Sequence, residues 1–356
     1  MKHTEADILI IGAGLSGLSL AHYLREHKVS TIVLEGRPRI GGRILTTYKN
    51  ETPLELGATW LSLQHTELRQ LLKQLNLETF EQELGKTAFF EPNASNPHQV
   101  VALPHNQEPS FRIKGGSSSL IRALQDSLDS NQIKLDHRVS KIIEEPDALR
   151  VLTRQENFKA KAVISTLPPF LFTSSIDMQP ALPQHFTDIS SRTHTWMGES
   201  IKIGLSYAQP FWKEDGLSGT IFSNPGPIPE MYDHSNFENS RFALKGFLNG
   251  ACFSLSKEER LEMVLNQLEK YYGSKVRAYM NYQEMAWQNE VFTYAPYKEH
   301  IFPHQNNGHE AFRQPYLTNR LFISGSETSR HFPGYMEGAV RSSLRVLHQL
   351  KTFQHI

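Results

Sequence analysis

Two glycine-bracketed stretches near opposite ends of the chain hold residues whose types and spacing could do chemistry. The first is "DILIIGAGLSGLSLAHYL", in which Gly12, Gly14 and Gly17 follow the apolar run Ile8 to Ile11 and precede Leu18, Ala21 and Leu24 at helical spacing. A second β-branched run, "STIVLE", ends in Glu35, eighteen residues after Gly17. Strand, glycine turn, helix and a second strand ending in an acid form the order of a dinucleotide seat. Gly12 permits the tight turn, Gly14 lets backbone amides approach a pyrophosphate, and Gly17 lets helix and strand pack closely. The helix start offers free N–H groups to phosphates. Glu35 can accept from ribose hydroxyls, and its charge opposes the 2′-phosphate of NADP.

The second stretch is "HFPGYMEGAVRS", residues 331–342. Gly334 and Gly338 bracket Tyr335, Met336 and Glu337, and Val340, Leu344 and Leu347 then recur at helical spacing. A helix therefore begins beside a tyrosine, with glycines clearing space around it. Between the two stretches, "GESIKIGLSYAQPFW" alternates Ile201, Ile203 and Leu205 against Lys202 and Gly204, as a strand with one apolar face does. Lys202 falls on the other face, where a solvated lysine is the ordinary reading.

These residues need a scaffold of some size. The chain has 356 residues, enough for two domains or one large domain with insertions. Lys+Arg and Asp+Glu are both 37, so no basic excess points to a nucleic-acid partner. The one cysteine, Cys252, rules out an intrachain disulfide, argues against a cysteine-based metal site and fits a reducing compartment. No metal site is expected. The apolar run before Gly12 is too short for a signal-peptide core, and no stretch reaches the ~18 apolar residues of a membrane span. The chain ends in "LHQLKTFQHI" without an apolar anchor, and a cytoplasmic protein is expected. "SLSKEERLEMVLNQLEKYYG" predicts an amphipathic packing helix with Ser256 and Glu259 as a capping box and Gly273 at its end.

Six residues beyond Glu35 comes Gly41-Gly42-Arg43, and "LELGATW" follows at residues 54–60. With the first glycine turn, "KGGSSSL", "AWQNEVFTYAPYKEHIFP" and "NRLFISGSETSRHFPGYMEGAVRSSLRVL", these segments resemble the flavin-containing monoamine oxidase family. The resemblance is strong at both ends of the chain and loose between. It implies FAD as cofactor, with contacts from Gly12, Gly14, Ser16 and Gly17, from Glu35, Gly36 and Arg37, from Gly42 and Arg43, and from Gly57, Ala58, Thr59 and Trp60. Further contacts are implied for Val139, whose counterpart holds adenine through backbone groups, and for Trp287, Glu327, Gly334, Tyr335, Met336 and Ala339. In the family, a lysine before "PFW" reaches flavin N5 through a water; here that is Lys202. The aromatic before "MEGA" is one wall of an aromatic cage, here Tyr335. The other wall lies ten positions after the family tryptophan, which from Trp287 gives Tyr297.

Two departures bear on function. Covalent members attach FAD through a Cys just before the cage Tyr, and here that position is Pro296, so FAD is expected to be noncovalent. The stretch between "GATW" and "KGG" is short, so much of the helical substrate domain is missing and substrate identity does not carry over. Related amino-acid oxidases place a carboxylate-binding arginine where this chain has Trp60, which favours an amine without a carboxylate.

The resulting expectation is an α/β protein. A doubly wound, Rossmann-type FAD domain like that of glutathione reductase (residues 1–62, 111–170 and 312–356) carries an inserted, reduced α+β substrate domain (63–110 and 171–311). The expected reaction is oxidative deamination of a primary or secondary amine, with hydride passing to flavin N5 and O2 reoxidising the flavin to give H2O2. A flavin desaturase or dehydrogenase acting on a C–C bond of an apolar substrate, using another acceptor, is the alternative. A flavin-binding protein without turnover is a third reading.

Overall fold

A computed structural model describes residues 3–104 and 108–356. Ile8, Leu9, Ile10 and Ile11 form the fully buried end of strand β1 (His3–Ile11), and their unbroken apolarity suits a strand covered on both faces. The chain turns at Gly12, whose φ of +105° is open to glycine, and enters α1 (Leu15–Leu24) before returning as β2 (Thr31–Leu34). Helix α2 (Thr66–Gln74), helix α3 (Ser118–Asp126) and strand β3 (Asn157–Ser165) follow. β1 lies between β2 and β3, parallel to both. Leu321–Ile323 pairs parallel with the end of β3, while Leu149–Thr153 and Val139–Glu144 add an antiparallel extension. The whole is an eight-stranded sheet, closed at one edge by Ile133–Lys134 and at the other by Asp177–Gln179.

A second sheet of seven strands carries β4 (Ile201–Tyr207), β5 (Glu230–Asp233), β6 (Phe242–Leu248) and, after helix α4 (Lys257–Tyr272), β7 (Asn281–Ala286). Its central pairs are antiparallel: β4 runs between β6 and β7, and β5 flanks β6. Ile201, Ile203 and Leu205 all face the core that Val264, Leu265 and Leu268 of α4 cover. α4 begins with the expected capping box at Ser256 and Glu259 and ends at Gly273. The chain closes with α5 (Met336–Thr352), whose N-cap is Tyr335.

The domain limits expected from the sequence shift in two places. Residues 63–77 belong with the first sheet, because Leu68, Leu71 and Leu72 of α2 form an i, i+3, i+4 stripe buried in one core with α1, α3 and α5. α2 has no side-chain cap of its own; the Glu337 carboxylate at the start of α5 accepts from the N–H of Glu67 (3.2 Å) and Leu68 (2.7 Å). Residues 171–191 also join the first sheet. Asp177–Gln179 is its edge strand, and Phe172, Ile176, Leu182 and Phe186 fill the core on its other face. Neither stretch has a glycine fingerprint, so only packing assigns it. Residues 105–107 of the expected insertion lie outside the described residues.

Candidate active site

A cleft of about 530 Å³ runs from the β1–α1 turn to the start of α5. At one end the backbone of Gly12, Gly14 and Gly42 forms its wall, with Ser16 beside them. A Cβ at Gly14 would touch the Gly42 backbone at 3.6 Å and one at Gly42 would lie 3.1 Å from the Gly14 Cα, so the two glycines let both backbone turns come together at the cleft wall, where N–H groups at a helix start suit a pyrophosphate. Gly17 serves packing alone: a Cβ there would lie 2.0 Å from the Gly12 carbonyl. Ser16 is tied to the C-terminal segment through Ser324 Oγ at 2.8 Å.

Glu35 follows β2 and lines the same cleft. Its Oε2 accepts from the Ala13 N–H (2.9 Å) and its Oε1 from the Arg37 N–H (3.1 Å), which holds the carboxylate at the seat with lone pairs to spare. Gly36, Arg37 and Val139 line this end too, joined by His137, Arg138 and Phe292, which the sequence reading did not single out. Arg37 is held by Glu290 at 3.1 Å.

At the other end, Arg43 lies against Glu327, with Nη1–Oε1 at 2.5 Å and Nη2–Oε2 at 2.8 Å. Glu327 does not line the cleft; it acts behind Arg43. Burial works against the Glu327 charge, but Arg43 overrides it and holds the carboxyl below its ordinary value. The same Arg43 donates Nη1–H to the Trp196 carbonyl (3.1 Å), and Glu327 Oε1 accepts from the Trp196 N–H (3.3 Å), so the pair fixes the Trp196 backbone.

Lys202 is buried, at 6% exposure, which removes the solvated-lysine reading. Its Nζ donates to the Gly57 carbonyl at 2.8 Å and lies 5.4 Å from the Phe247 ring centre. Burial, aided by Arg43 and opposed by Glu55 and Glu230, pushes the ammonium down to about 8. A second lysine shares this face of the sheet. Lys245, opposite Gly204 in the β4–β6 register, is fully buried, donates to Thr59 Oγ1 and lies 4.0 Å from the Trp60 ring centre. Two buried lysines thus grip the segment Gly57 to Trp60, of which Ala58, Thr59 and Trp60 line the cleft. Lys245 was legible in principle: "FALKGFL" places it on the same face of β6 as Phe247. Trp287 also lines the cleft and donates to the Leu56 carbonyl at 2.7 Å.

Tyr335 stands at the rim with 41% exposure, so it is not a core residue. Met336, Ala339 and Gly334 line the cleft beside it. Tyr297, expected as the other wall, is not among the residues that line the cleft. The Tyr297 hydroxyl accepts from the Thr195 N–H at 2.6 Å, and its ring stacks on Phe170 and His194. The ring beside Tyr335 is Trp196, with centres 5.8 Å apart, backed by His304 at 4.0 Å from Trp196. The glycines also have a different use from the one expected. A Cβ on Gly334 would lie 2.5 Å from Trp196 Cβ, and one on Gly338 would lie 2.3 Å from the Phe332 carbonyl. They make room for Trp196 and for the chain that precedes the helix.

The model of the family described as flavin containing amine oxidoreductase matches residues 15–106 and 94–346. The chain belongs to this family: it is an FAD-dependent oxidoreductase of the amine oxidase type. Among similar proteins, a probable flavin-containing monoamine oxidase A of Dictyostelium discoideum is 23% identical, the match covering 98% of each chain. The flavin-containing amine oxidase A of Equus caballus is 25% identical over 97% of this chain and 84% of that one. Solved structures share the fold: wild-type putrescine oxidase bound to putrescine has a TM-score of 0.87 at 23% identity, covering 99% of this chain and 100% of that one. Cyclohexylamine oxidase from Brevibacterium oxydans has a TM-score of 0.85 at 19% identity, covering 98% and 99%.

Proposed function

We propose that this protein oxidises a small primary or secondary amine to an imine at the Lys202–Tyr335 end of the cleft, with O2 as electron acceptor. The observation that carries the reading is that the glycine seat, Lys202 and Tyr335 line one continuous cleft. FAD fits its residues: bare glycine backbone and a helix start for the pyrophosphate, the Glu35 carboxylate for a ribose, and Ala58 to Trp60 with Lys202 at the far end. Bound there, FAD supplies the capacity to take up a hydride and pass its two electrons to O2, giving H2O2.

The chain's own contribution is binding and charge placement. Tyr335 and Trp196 offer an apolar ring wall that holds the amine substituents and excludes water. Neutral amine is the competent form, and electron-rich ring faces tolerate the nitrogen as its charge changes. Lys202 adds a buried positive charge, which favours electron transfer to O2. Glu230 also lines the cleft and accepts from the Tyr232 hydroxyl at 3.0 Å, an anionic feature suited to a substrate with a second ammonium. The one cysteine, Cys252, is a buried free thiol, consistent with a cytoplasmic setting.

The test is a peroxide assay over monoamines and diamines of matched length, with anaerobic spectra of the bound flavin. Amine-dependent peroxide supports the proposal, and a diamine preference lost in Glu230→Gln supports the role of Glu230. Bleaching by an apolar substrate without peroxide, and no response to any amine, would replace it with the desaturase reading.

A further inference from the structure

A second pocket, of about 300 Å³, shares no lining residue with the cleft. Four arginines line it: Arg313 before the last strand of the first sheet, Arg330 in the turn after Thr328, and Arg341 and Arg345 one turn apart on α5. Only one carboxylate lines it, that of Glu67. In a chain with equal numbers of acidic and basic residues, this is a local excess and not a reflection of overall charge.

The arginines differ in how they are satisfied. Arg341 is neutralised, with Nε on Glu337 Oε1 at 2.6 Å. Arg345 bonds only neutral acceptors: the Ile323 carbonyl (2.6 Å), Gln349 Oε1 (2.7 Å) and Thr328 Oγ1 (3.2 Å). Its Nε is buried without a partner, as is the Nε of Arg313. Among the described residues no carboxylate lies within ion-pair distance of Arg313, Arg330 or Arg345. Burial and neighbouring Arg313 push Arg345 down to about 10, and burial and Arg330 lower Arg313. The two nearby carboxylates, Glu337 and Glu67, both pair with Arg341 (2.6 and 4.0 Å), so the other three arginines crowd the concave site without an ion-pair partner, and buried unpaired N–H groups are costly.

We propose that this pocket binds the phosphate group of a small phosphorylated molecule. Planar guanidinium forks match phosphate oxygens two at a time, and three uncompensated cations suit a dianion better than a single carboxylate. The Thr328 and Ser329 hydroxyls on one side of the pocket already donate to the Gly325 and His331 carbonyls, so the arginines carry the recognition. The site continues directly into the Arg330–Gly334 turn that leads to Tyr335, so its occupant would sit next to the segment that positions the ring wall.

The test uses FAD-saturated protein, so that the dinucleotide seat is filled, in a low-salt buffer without phosphate. Titration calorimetry and melting curves are recorded with inorganic phosphate, pyrophosphate and citrate. Pyrophosphate is expected to bind once per chain and raise the melting temperature. Arg330→Glu, a change at an exposed residue, and the double variant Arg313→Gln/Arg330→Ala are each expected to weaken binding at least tenfold while the flavin spectrum and unliganded melting temperature stay near wild type. The proposal is overturned if neither phosphate probe binds the loaded protein. It is also overturned if Arg330→Glu binds pyrophosphate as tightly as wild type, or if citrate binds as tightly as pyrophosphate. The readout is binding, so it does not depend on amine turnover.

Discussion

Arg43 and Glu327 are 284 positions apart, yet they form a two-pronged ion pair, at 2.5 and 2.8 Å, behind the wall of the cleft. Glu327 is fully buried and Arg43 mostly so, and together they hold the backbone N–H and carbonyl of Trp196. The pair therefore joins the FAD seat to the ring wall.

Glu327→Gln tests this coupling. It keeps the shape and leaves Arg43 without a counter-charge, which costs about 3 kcal/mol or more in a buried pair. A lower melting temperature and a lower FAD content are expected together. The wild type has a matching pH dependence. The Glu327 carboxyl is held below its ordinary 4.5, so its contribution is complete above that value and is lost as pH falls below it. Acid melting curves of the two proteins should converge; curves that stay parallel would show that the pair adds nothing.

Lys202→Met should slow flavin reoxidation by O2 at least tenfold, about 1.4 kcal/mol of barrier, and alter reduction by amine less. With Lys202 pushed down to about 8, the charged form prevails below that pH and is lost above it. Wild-type reoxidation should fall as pH rises through about 8, and the variant should lack this limb. Stopped flow separates this from reduction, which rises with pH as the amine becomes neutral. Reoxidation of the variant at the wild-type rate would remove Lys202 from the oxygen step.

The ring wall gives an ordered series. Tyr335→Phe keeps the ring and should be mild; Tyr335→Ala and Trp196→Ala should lower kcat/KM tenfold or more with FAD content unchanged. Because Tyr335 is 41% exposed, its alanine variant should not lose the ~3–5 kcal/mol that a buried aromatic loses. Tyr297→Phe should remove one hydrogen bond, about 1 kcal/mol of stability, and leave amine kinetics near wild type. Tyr297→Phe proving as damaging as Trp196→Ala would restore Tyr297 to the wall.

Noncovalent FAD should leave the chain on heat or acid denaturation, giving a colourless precipitate and intact FAD in the supernatant. Pro296 at the attachment position motivates this, and Cys252 lies in the core beneath the second sheet. Colour retained by the precipitate would contradict it.

The sequence by itself determined what local chain geometry dictates. The apolar run into Gly12, the acid after β2, the two-residue alternation of β4, the capping box of α4 and the helix start at Tyr335 are each written within a dozen residues, because strand and helix periods act locally. Tertiary structure decided which of these elements meet. Whether Lys202 faced water or a cleft depended on what covered its side of β4, and Gly57 and Phe247 cover it. Lys245 reached the same segment from the neighbouring strand. Trp196 took the place beside Tyr335 because Arg43 and Glu327 hold its backbone and Gly334 leaves room for its Cβ. Residues 63–77 and 171–191 went to the first sheet because their apolar stripes found uncovered core there. Long-range choices of this kind depend on how loops from distant parts of the chain fill a shared volume, and no local period encodes that.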